Sequence, residues 1–286
     1  MPNHFTTTCT QRLSQYSGYL RDITQNLPEV NPHHVKNSLR AYFLAFILLP
    51  LGLFSTSCEK DDEDPGDRPT VESHLNFRAV VDGELVEYDT LMYVNEAGNV
   101  FGVETIRYFV SNVALVDLSG ERVPVDTAIY VDHRDEAYTR KSYPGAFPNG
   151  TYTAVEFTFG LDSAMNRTNA FINFPEAAME WPVPMGGGYH YMKLEGKYAL
   201  GEDFNHYNFH TGPLDGNHNY FQVHVPVHFE IADGRFDLTV EMEIQNWFRD
   251  PHTFDLSEID HGMMGNQEKQ QQVKENGHDV FSVQFE

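Results

Sequence analysis

Apolar and polar residues alternate in short runs through most of this chain. Over residues 220–231, Phe221, Val223, Val225, Val227, Phe229 and Ile231 share one face, and Gln222, His224, His228 and Glu230 take the other. Leu238, Val240, Met242 and Ile244 repeat the pattern over residues 238–246. A period of two marks a strand with one buried face. Further runs rich in Val, Tyr, Phe and Thr cover residues 75–81, 99–118, 127–132, 151–162 and 188–198, each bounded by Gly, Asn, Asp or Pro. Short strands separated by turn residues at this spacing predict an all-β fold, an antiparallel β-sandwich from about Leu75 to Trp247. The Gln-, Glu- and Lys-rich tail, residues 257–277, predicts a short C-terminal helix on the surface, stopped at Asn276-Gly277 by a left-handed residue.

The one long apolar run has a different meaning. Residues 42–54 are almost wholly apolar, too few to span a bilayer comfortably, and end in Ser55-Thr56-Ser57 directly before Cys58. Small residues before a cysteine resemble a bacterial lipobox, in which the thiol is lipidated and becomes the first mature residue; Ser55 stands where Leu is usual. The acidic run 59–64 then resembles the export signal of surface lipoproteins of Bacteroidota. Lys36 and Arg40 precede the apolar run, so residues 35–57 have the shape of a signal peptide, whereas residues 1–34 lack it. Residues 1–57 therefore read as a mis-called start plus signal, with translation beginning at a Val35 codon. Residues 58–73 read as an acidic tether, with Pro65, Gly66 and Pro69, and residues 74–286 as the folded domain. These features predict a protein of the outer membrane, held by lipid on Cys58 and facing the cell surface or the periplasm.

Charge narrows the partners. The chain carries a formal net charge of −23, and the leader to Ser57 contributes none of the excess acid. Such a body repels nucleic acid and anionic lipid and suits cations or plain solubility. With Cys9 in the leader and Cys58 acylated, no thiols remain for a disulfide or a cysteine zinc site.

Histidine is the abundant ligand type. His224 and His228 lie on the face opposite the apolar set and read as solvated. His190 shares an apolar strand face with Met192 and Leu194 in the run 189–196, so it is a hydrogen-bonded core residue or a metal ligand. Met179, Trp181 and Met185 lie just upstream, and His206 and His210 follow the turn at residues 200–202. His261 lies beside Met263 and Met264. Imidazole with thioether favours copper, Cu(I) above all, over hard cations. Gly186-Gly187-Gly188 lacks the strand–helix context of a phosphate loop and reads as a place where the backbone passes close to another element. No G-x-S-x-G elbow, H-E-x-x-H pair or catalytic triad is present, so the chain reads as a binding protein rather than an enzyme.

At these residues the chain resembles the MbnP-like family, the copper-binding proteins that accompany methanobactin systems, and its Bacteroidota branch in particular. The matching segments are YVNEAGN (93–99), IRYFVSNVAL (106–115), Gly150-Thr151-Tyr152 with residues 157–162, Met179-Glu180-Trp181-Pro182, residues 185–189 leading into Lys193-Leu194-Glu195-Gly196, His210-Thr211-Gly212, Asn246-Trp247-Phe248 and NGHDVF (276–281). The resemblance implies a secreted β-sandwich that binds copper through histidines, a tryptophan oxidised in characterised relatives, and a di-haem partner of the MauG type. Carried over, Trp181 is that tryptophan, and His210 is the histidine of the H-x-G motif. A first-strand histidine is expected as well, but Ala79 occupies its place in FRAVVDG (77–83).

Two readings result. One is a lipid-anchored copper-binding protein of copper acquisition, with His190 and His210 near Trp181 and thioethers from Met179, Met185 or Met192. The other is a surface module for carbohydrate or protein on the same sandwich, using Trp181, Trp247 and the exposed aromatics as contacts. The anchor is tested apart from either: Cys58→Ala should shift the domain from the membrane fraction to the soluble fraction, and unchanged membrane partition would refute acylation at Cys58.

Overall fold

The computed structural model describes residues 71–259 and 263–286. The leader, Cys58, nearly all of the tether, Asp260 and His261 lie outside the described residues. The alternating runs form strands of two sheets, as the period-two pattern requires. Strand β1 (Glu72–Val81) is central to the five-stranded sheet; it pairs with β2 (Glu84–Leu85) and β6 (Arg140–Pro144) on one side. On its other side lies β11 (Asp237–Glu243), followed by β12 (Phe281–Phe285). The β1–β11 pairing is parallel, His74 opposite Asp237 through Val80 opposite Glu243, so this sheet is not wholly antiparallel. Strand β1 also starts within the expected tether. Ser73 is buried and its hydroxyl accepts the Phe236 N–H at 3.1 Å.

The seven-stranded sheet is organised by β4 (Val100–Asp117). Along one edge of β4 lie β3 (Tyr93–Val94) and β5 (Arg122–Asp132). Along the other edge two strands share it end to end. Strand β8 (Met192–Leu200) pairs with β4 from Phe101 to Tyr108, and β7 (Gly150–Phe159) pairs from Val110 to Asp117. The change of partner falls at Phe109, whose N–H donates to the Tyr191 carbonyl at 3.0 Å while its carbonyl accepts the Gly160 N–H at 2.8 Å. Segment 160–191, which joins β7 to β8, therefore leaves and rejoins the sheet in mid-strand. Strands β9 (Asp203–Thr211) and β10 (Phe221–Ile231) complete the order β10-β7-β4-β8-β9.

Alternation sorts the side chains into two layers. Tyr108, Val110, Leu194, Phe209, Val223 and Ile231 join Leu75, Phe77, Val240 and Trp247 in the core between the sheets. Phe109 and Tyr130, on the outer face of the seven-stranded sheet, join Leu161, Met179, Tyr189 and Tyr191 in a second cluster under segment 160–191. His224 and His228 are exposed, with His224 paired to Glu156 at 2.9 Å.

The C-terminal helix departs from expectation. Helix α1 (Gln267–Asn276) begins ten residues late, with the Asn266 side chain capping the Lys269 N–H at 3.1 Å. Residues 256–258 form a 3₁₀ turn capped by Asp255 instead. Gly277 is right-handed at φ −64°, so no left-handed stop is used. Glycine serves closeness: a Cβ there would lie 2.2 Å from Cζ of Phe221. One face of α1 is sunk into the protein through Gln270, Val273 and Asn276, while Glu268, Gln271 and Glu275 are exposed. Ile244 also leaves the strand pattern, opening a 3₁₀ turn (Ile244–Phe248) that sinks Trp247 and Phe248 into the core.

Phe248 is fully buried and packs edge-on against Phe101 at 5.3 Å and Phe209 at 5.3 Å. Phe248→Ala should cost about 3–5 kcal/mol of unfolding free energy by urea denaturation; a loss under about 1 kcal/mol would contradict this packing.

Candidate metal centre

Segment 160–191 is pinned before it can carry a site. The Asn166 carboxamide brackets Tyr189, accepting its N–H at 2.7 Å and donating to its carbonyl at 3.3 Å. Thr168 Oγ1 accepts the Gly188 N–H at 3.0 Å. A Cβ on Gly187 or Gly188 would lie 2.5 Å from Thr168 Oγ1 or Asn166 Oδ1, and both glycines have φ in the left-handed region. The triple glycine is thus a close backbone approach, as its context indicated. Trp181 closes the loop: its N–H donates to the Gly188 carbonyl at 2.8 Å and its indole Nε1–H to the Met185 carbonyl at 3.3 Å.

His190 lies just before β8, past a bend at Tyr191, and the strand alternation does not extend to it. Met192 and Leu194 face the core, but the His190 ring packs edge-on against Trp181, centroids 4.7 Å apart, and against His210, 5.1 Å apart. His210 stands opposite Lys193 in the β8–β9 ladder, and Phe209 opposite Leu194. Since Phe209 faces the core, His210 faces outward, beneath segment 160–191. Trp181 and His190 are buried and His210 is nearly so, its side chain 13 % exposed. Gly212 makes this packing feasible: a Cβ there would lie 2.5 Å from Cε3 of Trp181.

Hydrogen bonds assign the imidazole nitrogens. The Met179 carbonyl accepts both the His190 backbone N–H at 2.7 Å and Nδ1–H at 2.9 Å. A carbonyl only accepts, so the proton sits on Nδ1 and Nε2 keeps its lone pair. Burial, reinforced by Lys193, lowers the His190 pKa to about 3, so the ring is neutral near pH 7. His210 Nε2 donates to Glu195 Oε1 at 2.7 Å, so the proton on that nitrogen is committed to the carboxylate. That hydrogen bond holds the Glu195 carboxyl below the usual range. Lys193 is itself lowered by burial and donates to the Ala178 carbonyl at 2.8 Å. Across β4 the outward row continues to Arg107, whose Nε donates to Asp132 at 2.8 Å.

The sulfur candidates divide differently. Met192 is in the main core on the face opposite His210, and Met179 packs into the second cluster. Apolar burial has claimed both thioethers, and Met185 supplies its carbonyl to the indole. His206 lies further along β9 beside Glu104, 3.6 Å away, apart from the pair. Ala79 is a core position on the inner face of the five-stranded sheet, so the first-strand place belongs to the other side of the core from His190 and His210. Trp181 and Trp247 are both fully buried, which removes them as surface contacts for a carbohydrate or protein. Glu195 and Gln270 are the residues that sequence reasoning missed. Glu195 alternates with Lys193 on the outward face of β8, a signal readable once β9 is recognised as the partner strand. Among the described residues, no three His, Cys, Asp or Glu side chains converge as a ligand cluster.

The architecture defines a β-sandwich with a shielded pair of imidazoles and a tryptophan on the outer face of one sheet. The MbnP family model matches residues 70–267, and the chain belongs to that family. No curated protein matches it. Among solved structures, MbnP from Methylosinus trichosporium is similar, with 15% sequence identity and a TM-score of 0.49 over 76% of this chain and 99% of that one.

Neutral burial of His190 has a pH consequence for the metal-free protein. As pH falls below 6.5 the unfolded chain takes up a proton that the folded His190 refuses until about 3. Its contribution is therefore complete above pH 6.5 and is lost on descent to pH 3, at up to about 1.4 kcal/mol per pH unit. His190→Gln should flatten the fall of unfolding free energy across that window; an unchanged slope would show that the ring is protonated in the fold.

Proposed function

We propose that this protein binds copper as Cu(I), with His190 Nε2 and His210 as its ligands and Trp181 as the wall of the site, in copper acquisition or handling. The observation that carries the reading is the fixed tautomer of His190: its proton is committed to the Met179 carbonyl, and an unprotonated nitrogen is presented beside a second imidazole. The Glu195–His210 bond supports it, because a carboxylate behind a ligating imidazole orients the ring and raises its basicity. Two imidazoles without a third ligating side chain among the described residues fit a low-coordinate, singly charged ion better than Zn²⁺ or Ca²⁺, which take four or more donors. The Lys193 ammonium favours the same choice, since it opposes a second positive charge more strongly than a first. Family membership supports copper chemistry as the context, and the resemblance adds an oxidised Trp181 made by a di-haem partner of the MauG type. Trp181, buried against His190, is placed to sense an ion held there. Acylation at Cys58 and display on the outer membrane complete the reading, with the domain acting as a binding protein rather than an enzyme.

Anaerobic titration with Cu(I) against a competing chelator tests it. Wild-type protein should take up one ion, and His190→Ala and His210→Ala should abolish stoichiometric uptake with the fold retained by circular dichroism. Wild-type protein that takes up no copper, or variants that bind as wild type does, would end the proposal.

A further inference from the structure

His210 lies near the end of an edge strand, and edge strands leave one row of backbone groups without a ladder partner. On this edge the His210 carbonyl and the Gly212 N–H face away from β8. Both are taken by one side chain. Gln270 of α1 donates from Nε2 to the His210 carbonyl at 2.9 Å and accepts the Gly212 N–H on Oε1 at 3.2 Å. Its second N–H goes to the Met263 carbonyl at 3.0 Å. A strand residue two positions from another presents its N–H on the same side as the other's carbonyl, so the carboxamide reproduces one peptide unit of an absent neighbouring strand. Gln270 is fully buried and these contacts occupy both of its donors. Asn219 supports the same segment, donating to the Gly212 carbonyl at 2.7 Å while Gln267 donates to its Oδ1 at 2.8 Å. The pinned segment carries His210 at one end and, at the other, the glycine against which Trp181 lies. Gln270 follows the residues matched by the family model, which end at 267.

We propose that Gln270 is a positioning residue for the metal centre: it fixes the backbone of residues 210–212 and so sets the approach of His210 and Trp181 to His190. The copper arm of this inference rests on the function proposed above; the positional arm does not. Gln270→Met keeps the side chain's length and removes all three hydrogen bonds. Val273→Ala, on the same helix and buried in the main core, is the control for lost stability alone. The metal-free proteins are compared by the ¹⁵N–¹H resonance of the Trp181 indole, identified by its absence in Trp181→Phe, and the loaded proteins by Cu(I) competition. Gln270→Met should move the Trp181 resonance and weaken Cu(I) binding by about 10- to 100-fold, and Val273→Ala should do neither. Should Gln270→Met fail to fold, Gln270→Glu, which keeps the acceptor for Gly212 but loses the donors, is read the same way. An unmoved resonance in the Gln270 variant, or an equal shift in Val273→Ala, would overturn the proposal. Wild-type protein that binds no copper would end the functional reading while the indole resonance still decides the role of Gln270.

Discussion

The site depends on how β4 is paired. Its 18 residues exceed the length of either neighbour on one edge, so β7 and β8 share that edge and abut at Phe109. Backbone groups at the junction cannot be left dry and unpaired, and Gly160 and Tyr191 satisfy them. This fixes where segment 160–191 departs and returns. A long connection anchored in mid-sheet has no edge to run along, and it folds over the outer face. There Phe109, Tyr130, Met179 and Tyr189 give it an apolar floor. The second cluster is thus the foundation of the candidate site: it holds the Met179 residue whose carbonyl fixes the tautomer of His190.

The electrostatics follow from the same shielding. A neutral, buried His190 is costly to protonate, and the nearby Lys193 makes it costlier. Glu195 offsets that ammonium and fixes His210 in one step. The result is a shielded pocket in which His190 keeps a lone pair, within a protein whose net charge is strongly negative. Specificity in this account comes from low coordination and restricted charge rather than from a dense ligand cage.

Much of the sandwich was legible because two faces differ in polarity. Strands β10 and β11 show this in residues 221–231 and 238–243. The hairpin turn after Leu200 announced that the His206–His210 stretch would run back along β8. The parallel β1–β11 pair was not legible, since alternation says nothing of direction. His190 shows the limit most clearly. The period of two was extended one turn too far, and the bend at Tyr191 rotates the ring away from Met192 and onto Trp181. Met192 shows the same limit, since it faces the core; methionine near a candidate ligand is more often committed to packing, as Met179 and Met192 are. Gln270 left no local signal, because its role is set by an edge strand sixty residues earlier in the chain.

The central claim is a copper site built from two imidazoles, with nitrogen rather than sulfur as the ligand. X-ray absorption at the copper K-edge on the Cu(I)-loaded protein tests it most directly. The account predicts a low-coordinate Cu(I) edge with a shell of nitrogen scatterers and the outer-shell pattern of two imidazole rings. A first shell containing sulfur, or one without imidazole scattering, would contradict it.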